Sequence, residues 1–126
     1  MAQHATFTEV FATLKSILQT YDKLLTVHQD TTGLYYLNTP YVEQFKKPLF
    51  FGSVRIGKQY VSYRLMPLHM YPDLTADLDP LLARRKHGKS CFNFKTLNAK
   101  EAELIADLTR RSVERIVHEG LIEVPT

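Results

Sequence analysis

The chain has no tryptophan, one cysteine and five glycines in 126 residues. A lone Cys91 cannot close an internal disulfide, so no disulfide framework holds the fold, and the thiol suits a reducing compartment. No apolar run reaches the roughly 20 residues that a spanning helix needs. Met1 to Thr6 carry neither a basic nor an apolar leader segment, and a cytosolic, membrane-free protein is expected. There is also no large excess of either charge: 16 Lys and Arg stand against 13 Asp and Glu, a net +3. A surplus that small is weak support for a polyanion partner. Disorder, collagen and coiled coil do not fit a composition that is 44% hydrophobic and 23% charged.

What is present reads as one α+β domain over residues 1–126, without repeats or linkers. Phe7, Val10, Phe11, Leu14, Ile17, Leu18 and Tyr21 recur at intervals of three and four. That spacing predicts a helix over 7–21 with one apolar face. Thr6 and Glu9 have the spacing of a capping box at its start. Leu24–His28 and Leu34–Leu37 flank Asp30-Thr31-Thr32-Gly33 and predict a hairpin, with Asn38-Thr39-Pro40 breaking its second strand. Residues 41–47 follow as a loop or short turn. Strands over 49–55 and 59–66 are joined by Ile56-Gly57-Lys58, where Gly57 can take positive φ. In the second of these, Val61, Tyr63 and Leu65 share one face while Tyr60, Ser62 and Arg64 share the other. Gly52, inside its strand, predicts a bulge or a close backbone approach.

Asp79-Pro80 opens a short helix that Gly88 would close, with Arg84, Arg85 and Lys86 at its C-terminal end. Ser90–Lys95 reads as a strand with Phe92 and Phe94 on one face and Cys91, Asn93 and Lys95 on the other. Asn98 and Glu101 form a second capping box, opening a helix that Gly120 ends. Its inner stripe is Leu104, Ile105, Leu108, Ser112, Ile116 and Val117. The expected fold is therefore α+β: a single antiparallel sheet of about five strands, N-terminal and C-terminal helices on one face, and a short helix before the last strand.

Three stretches carry a resemblance: Pro48-Leu49-Phe50-Phe51-Gly52, Tyr60–Pro67, and Gly88-Lys89-Ser90-Cys91-Phe92-Asn93-Phe94-Lys95. The last resembles the Gly-Lys-x-Cys-x-x-Phe-Lys signature of the YdhG-like family of small bacterial α+β domains. The resemblance spans about residues 7–118. It implies the fold above and, because a member is described as a frataxin-like iron chaperone, an iron-binding alternative. Frataxin-type binding uses an acidic helix ridge, and here the first helix carries only Glu9, with Asp22 just beyond it.

No motif specifies catalysis, a cofactor or a metal. Gly88-Lys89-Ser90 lacks the first glycine of a phosphate loop, since position 83 is Ala, and it precedes a strand where that loop precedes a helix. Cys91 has His87, Lys89 and Lys95 near it, but alternates with Phe92 and Phe94 as a structural thiol would. His28, Asp30, His69, Asp73, His87 and Cys91 lack any dedicated ligand spacing. Arg84 to Lys95 holds five basic residues and no acid, a candidate phosphate-contacting segment, although nucleic acid is not the expected partner. Aromatic residues (Tyr35, Tyr36, Tyr41, Phe50, Phe51, Tyr60, Tyr63, Tyr71) concentrate mid-chain beside Arg55, Arg64 and His69. The leading expectation is a binding domain rather than an enzyme. Its small-molecule or partner pocket would lie on the aromatic sheet, with Tyr63, Arg64, His69, Lys89 and Cys91 as candidate site residues. The alternatives are iron handling, by resemblance, and polyanion binding through residues 84–95.

Overall fold

The computed structural model describes residues 2–122, with side chains from residue 7 onward. The chain runs α1 (Ala2–Gln19), β1 (Thr26–Thr31), β2 (Leu34–Val42), β3 (Lys47–Ile56), β4 (Val61–Leu65) and α2 (Met66–Met70). A 3₁₀ turn (Pro72–Thr75), α3 (Pro80–Ala83), β5 (Lys86–His87), β6 (Cys91–Phe94) and α4 (Ala99–His118) complete it. The strands form one antiparallel sheet in the order β1-β2-β3-β4-β6-β5. This is the expected α+β architecture, with six strands where about five were predicted. Among the described residues no helix is long and apolar enough to cross a membrane.

The apolar stripes decide which face is covered. Phe7, Val10, Phe11, Leu14 and Leu18 of α1 are buried, as are Ile105, Leu108, Val113 and Ile116 of α4. They meet Tyr35, Leu37, Val54, Val61, Tyr63, Leu65, Phe92 and Phe94 from one face of the sheet. Because strand side chains alternate, every second residue of β2, β3, β4 and β6 points away from this core. Both long helices lie on the core side: Lys15 of α1 pairs with Asp30 at 2.7 Å and sits over the Tyr35 ring, and Thr109 of α4 bonds the Tyr63 hydroxyl. Among the described residues no helix packs on the opposite face of the sheet.

Several local expectations are corrected. α1 begins at Ala2, so Thr6 lies inside the helix and cannot cap it; the side chain of Thr6 lies outside the described residues. β2 continues through Asn38-Thr39-Pro40. Its register shifts on both sides of Asn38, where Pro40 needs no ladder donor, and buried Thr39 accepts the Leu49 N–H at 2.9 Å through its hydroxyl. Gly57 does not take positive φ; its N–H instead donates to the Tyr60 carbonyl at 2.8 Å. α3 stops at Ala83, capped by Asp79. Arg84 is its C-cap, Arg85 lies in the following turn and Lys86 opens β5, so of the three only Arg84 meets the helix end, and Gly88 (φ 75°) turns the β5–β6 hairpin instead.

Gly52 shows both features its position predicted. Leu37 pairs with Gly52 but Asn38 pairs with Phe50, so Phe51 is the extra residue of a bulge. A Cβ on Gly52 would lie 2.9 Å from the Arg64 carbonyl oxygen and 3.3 Å from Leu18. The α4 capping box forms in full: Asn98 Oδ1 accepts the Glu101 N–H at 2.7 Å, and Glu101 Oε1 accepts the Asn98 N–H at 3.1 Å. At the other end Gly120 (φ 79°) closes the helix, with Leu121 N bonding Ile116 O and Gly120 N bonding Val117 O.

Candidate functional site

The helix-free face of the sheet holds a cavity of about 690 Å³, within the usual range for a small-molecule site. Its floor comes from outward-pointing residues on four strands. Leu34 and Tyr36 come from β2, Ser53 and Arg55 from β3, Ser62 and Arg64 from β4, and Cys91 from β6. The β5–β6 hairpin, His87-Gly88-Lys89-Ser90, forms the wall at one side. Strand register explains the grouping. Arg55 stands opposite Ser62, Ser53 opposite Arg64 and Tyr36, and Arg64 opposite Cys91.

Charge on this face is one-sided. No Asp or Glu lines the cavity. Among the described residues Arg55, Arg64 and Lys89 take part in no salt bridge, whereas Arg84, Arg85, Arg110, Arg111 and Arg115 all do. Arg64 lies instead over the Phe50 ring, 5.6 Å from its centroid. Phe50 contacts Tyr36 at 4.8 Å between ring centroids, and Tyr36 contacts His28 at 5.2 Å. A line of aromatic rings thus runs from β1 to β3 and ends at a guanidinium.

Beside it, Asn93 Oδ1 accepts hydrogen bonds from Ser62 Oγ at 2.8 Å and from Cys91 Sγ at 3.6 Å. Burial pushes the Cys91 thiol up from its ordinary pKa, against the opposing pull of the Arg64 charge and a hydrogen bond with Ser62. The thiol is therefore neutral at pH 7 and a poor nucleophile.

The five sequence-predicted site residues divide. Arg64, Lys89 and Cys91 line the same cavity. Tyr63 does not: it points to the core, fully buried, 2.6 Å from Thr109 Oγ1. Adjacent residues of a strand face opposite ways, so Tyr63 and Arg64 cannot share a pocket wall. His69 is an exposed residue of α2 and lies outside the cavity lining. Ser53, Ser62 and Leu34 were not singled out; the alternation that put Ser62 on the face of Arg64 was the signal for it. Ser53 and Leu34 needed the β2–β3–β4 register, which sequence alone does not supply.

The basic run from 84 to 95 does not form one surface. Arg85 and Arg84 turn to Glu101, at 2.8 Å and 3.8 Å. Lys89 joins the cavity, and Lys95 lies over the Tyr60 ring. Phe92 and Phe94 are fully buried and cannot stack on a base. Among the described residues no three or more His, Cys, Asp and Glu side chains are grouped to hold a metal ion. Compared with models of known protein families, with curated proteins and with solved structures, the chain matches none.

Proposed function

We propose that the protein binds a small anionic molecule in the cavity on the helix-free face of its sheet. The observation that carries this reading is the set of three unpaired cations, Arg55, Arg64 and Lys89, around a floor that contains Tyr36 and no carboxylate. Three cations in one concavity repel each other and raise the local concentration of anions. Guanidinium groups hold carboxylate or phosphate through paired N–H donors, and Ser53, Ser62 and Ser90 add hydroxyls that donate or accept. The raised pKa of the Cys91 thiol and the lack of any carboxylate in the lining to orient His87 favour binding over catalysis. We also carry the YdhG-like resemblance forward as a proposal; the Gly88–Lys95 segment that bears it supplies the hairpin wall and Cys91.

The test is equilibrium binding of small anions to the wild-type chain and to an Arg55→Gln/Arg64→Gln variant. Each lost charge-assisted contact contributes about 1.5–3 kcal/mol, so the double variant should bind at least about 100-fold more weakly. Both side chains are exposed, so its unfolding midpoint should stay near that of wild type. Equal affinity of the two proteins would refute the reading.

A further inference from the structure

The cavity has two chemically different ends. Its β2 end presents the apolar and aromatic surface of Leu34 and Tyr36, and its hairpin end presents Gly88 and Lys89. Arg55 and Arg64 lie between them, on the paired central strands. Strands are spaced about 4.8 Å apart, so the three intervals from β2 to β6 span roughly 14 Å. An occupant that uses the whole floor is elongated, with a flat face at one end and a concentrated negative charge toward the other.

The charge required is more than a single carboxylate supplies. Arg55 and Arg64 are diagonal across the β3–β4 pair, because Arg55 opposes Ser62 while Arg64 opposes Ser53. Diagonal positions lie about 7–8 Å apart, close enough for two guanidinium groups to grip one tetrahedral anion from opposite sides. Lys89 adds a third cation from the hairpin. A phosphate monoester carries about −1.5 to −2 at pH 7, with a second pKa near 6, and offers three acceptor oxygens.

Resting on the binding reading above, we infer that the ligand is a nucleoside phosphate. Its phosphate lies between Arg55, Arg64 and Lys89, its base packs against Tyr36, and its sugar passes Ser53, which stands opposite Tyr36 on β3. Tyr36 is backed by Phe50 and His28, so its ring meets the base already held in place, which lowers the ordering cost of binding.

Calorimetric titration of the full chain with the four common nucleoside 5′-monophosphates, their nucleosides and inorganic phosphate tests this. At least one monophosphate should bind tenfold or more tightly than both inorganic phosphate and its own nucleoside. Its affinity should fall several-fold between pH 7 and pH 5, as the second phosphate proton returns. Tyr36→Leu should weaken the monophosphate several-fold and leave inorganic phosphate unchanged. Lys89→Gln, on an exposed turn, should weaken both and leave the unfolding midpoint unchanged, while retained inorganic-phosphate binding by Tyr36→Leu shows that this variant is folded.

If inorganic phosphate or small carboxylates bind through Arg55 and Arg64 but no monophosphate binds more tightly, the nucleoside assignment is wrong and the anion site stands. If none of these anions binds, both fall. If a single-stranded oligonucleotide binds more tightly than every monophosphate, with an affinity that rises with strand length, the ligand is a polymer and the assignment is overturned.

Discussion

Replacing Glu101 should unfasten the β5 segment from α4. Its carboxylate is 1% exposed and does two jobs. Oε1 closes the capping box on Asn98 at 3.1 Å, and Oε2 accepts from Arg85 Nε at 2.8 Å, with Arg84 3.8 Å away. Arg85 immediately precedes β5, and its own carbonyl accepts the Asn93 N–H of β6, so this one carboxylate ties the helix start to the sheet edge.

Glu101→Ala removes a charge-assisted bond, about 1.5–3 kcal/mol, and part of a cap, about 0.5–1 kcal/mol. Arg85 is 22% exposed and can regain water, which keeps the total below the full cost of stranding a buried charge. The expected loss is about 2–4 kcal/mol, or about 6–15 °C in Tm for a chain of this length.

Burial alone would raise the Glu101 pKa. The hydrogen bonds from Arg85 and Asn98 and the charges of Arg85 and Arg84 outweigh it and hold the carboxyl below its ordinary range. A depressed folded pKa means the contribution is complete above about pH 4.5 and is lost as pH falls through the folded value. Urea unfolding at pH 7 and across pH 5 to 2.5 should therefore show Glu101→Gln less stable at neutral pH and flatter in acid, converging with wild type at the low end. A variant within 0.5 kcal/mol of wild type by this ~1 kcal/mol-scale reasoning, with the same acid limb, would refute it.

Gly52→Ala should cost about 1–3 kcal/mol by overpacking, because its Cβ would meet a backbone oxygen at 2.9 Å; an unchanged urea midpoint would show that the bulge relaxes freely. Thr109 donates to the Ile105 carbonyl, so Tyr63 must be the donor in their 2.6 Å bond, and Tyr63→Phe should lose only about 0.5–1.5 kcal/mol. Burial raises the pKa of the Tyr63 phenol and, with the charges of Asp22 and Asp30, pushes Tyr35 up to about 12. Stability from both is present below pH 10 and is lost progressively as pH rises above it; Tyr63→Phe should flatten that alkaline limb in a pH-dependent melting series. Cys91 should react slowly with an alkylating reagent at pH 7 and faster above pH 9, and an anion bound in the cavity should slow it further; rapid labelling at pH 7 would mean the thiol is ionised.

Periodicity made the long elements legible. Along the stripes Phe7–Leu18 and Ile105–Ile116 every predicted residue is buried except half-buried Ile17, and Val61, Tyr63 and Leu65 are buried as their alternation requires. The misses share a cause, which is that tertiary partners decide short segments. α2 and the 3₁₀ turn are five and four residues long, too short for a periodic signal. Arg85 left the helix because Glu101, sixteen residues on, holds it. The site was half-legible for the same reason. Alternation alone separates Tyr63 from Arg64, but bringing Tyr36, Ser53, Arg64 and Cys91 into one row requires the strand order β2-β3-β4-β6, which skips β5.

The anion site is tested most directly by mapping backbone amide chemical shifts as inorganic phosphate and a nucleoside monophosphate are titrated in. The account predicts saturable shifts confined to Leu34–Tyr36, Ser53–Arg55, Ser62–Arg64 and His87–Cys91, abolished in the Arg55→Gln/Arg64→Gln variant. Shifts that saturate on α1 or α4, or that persist unchanged in the variant, would contradict it.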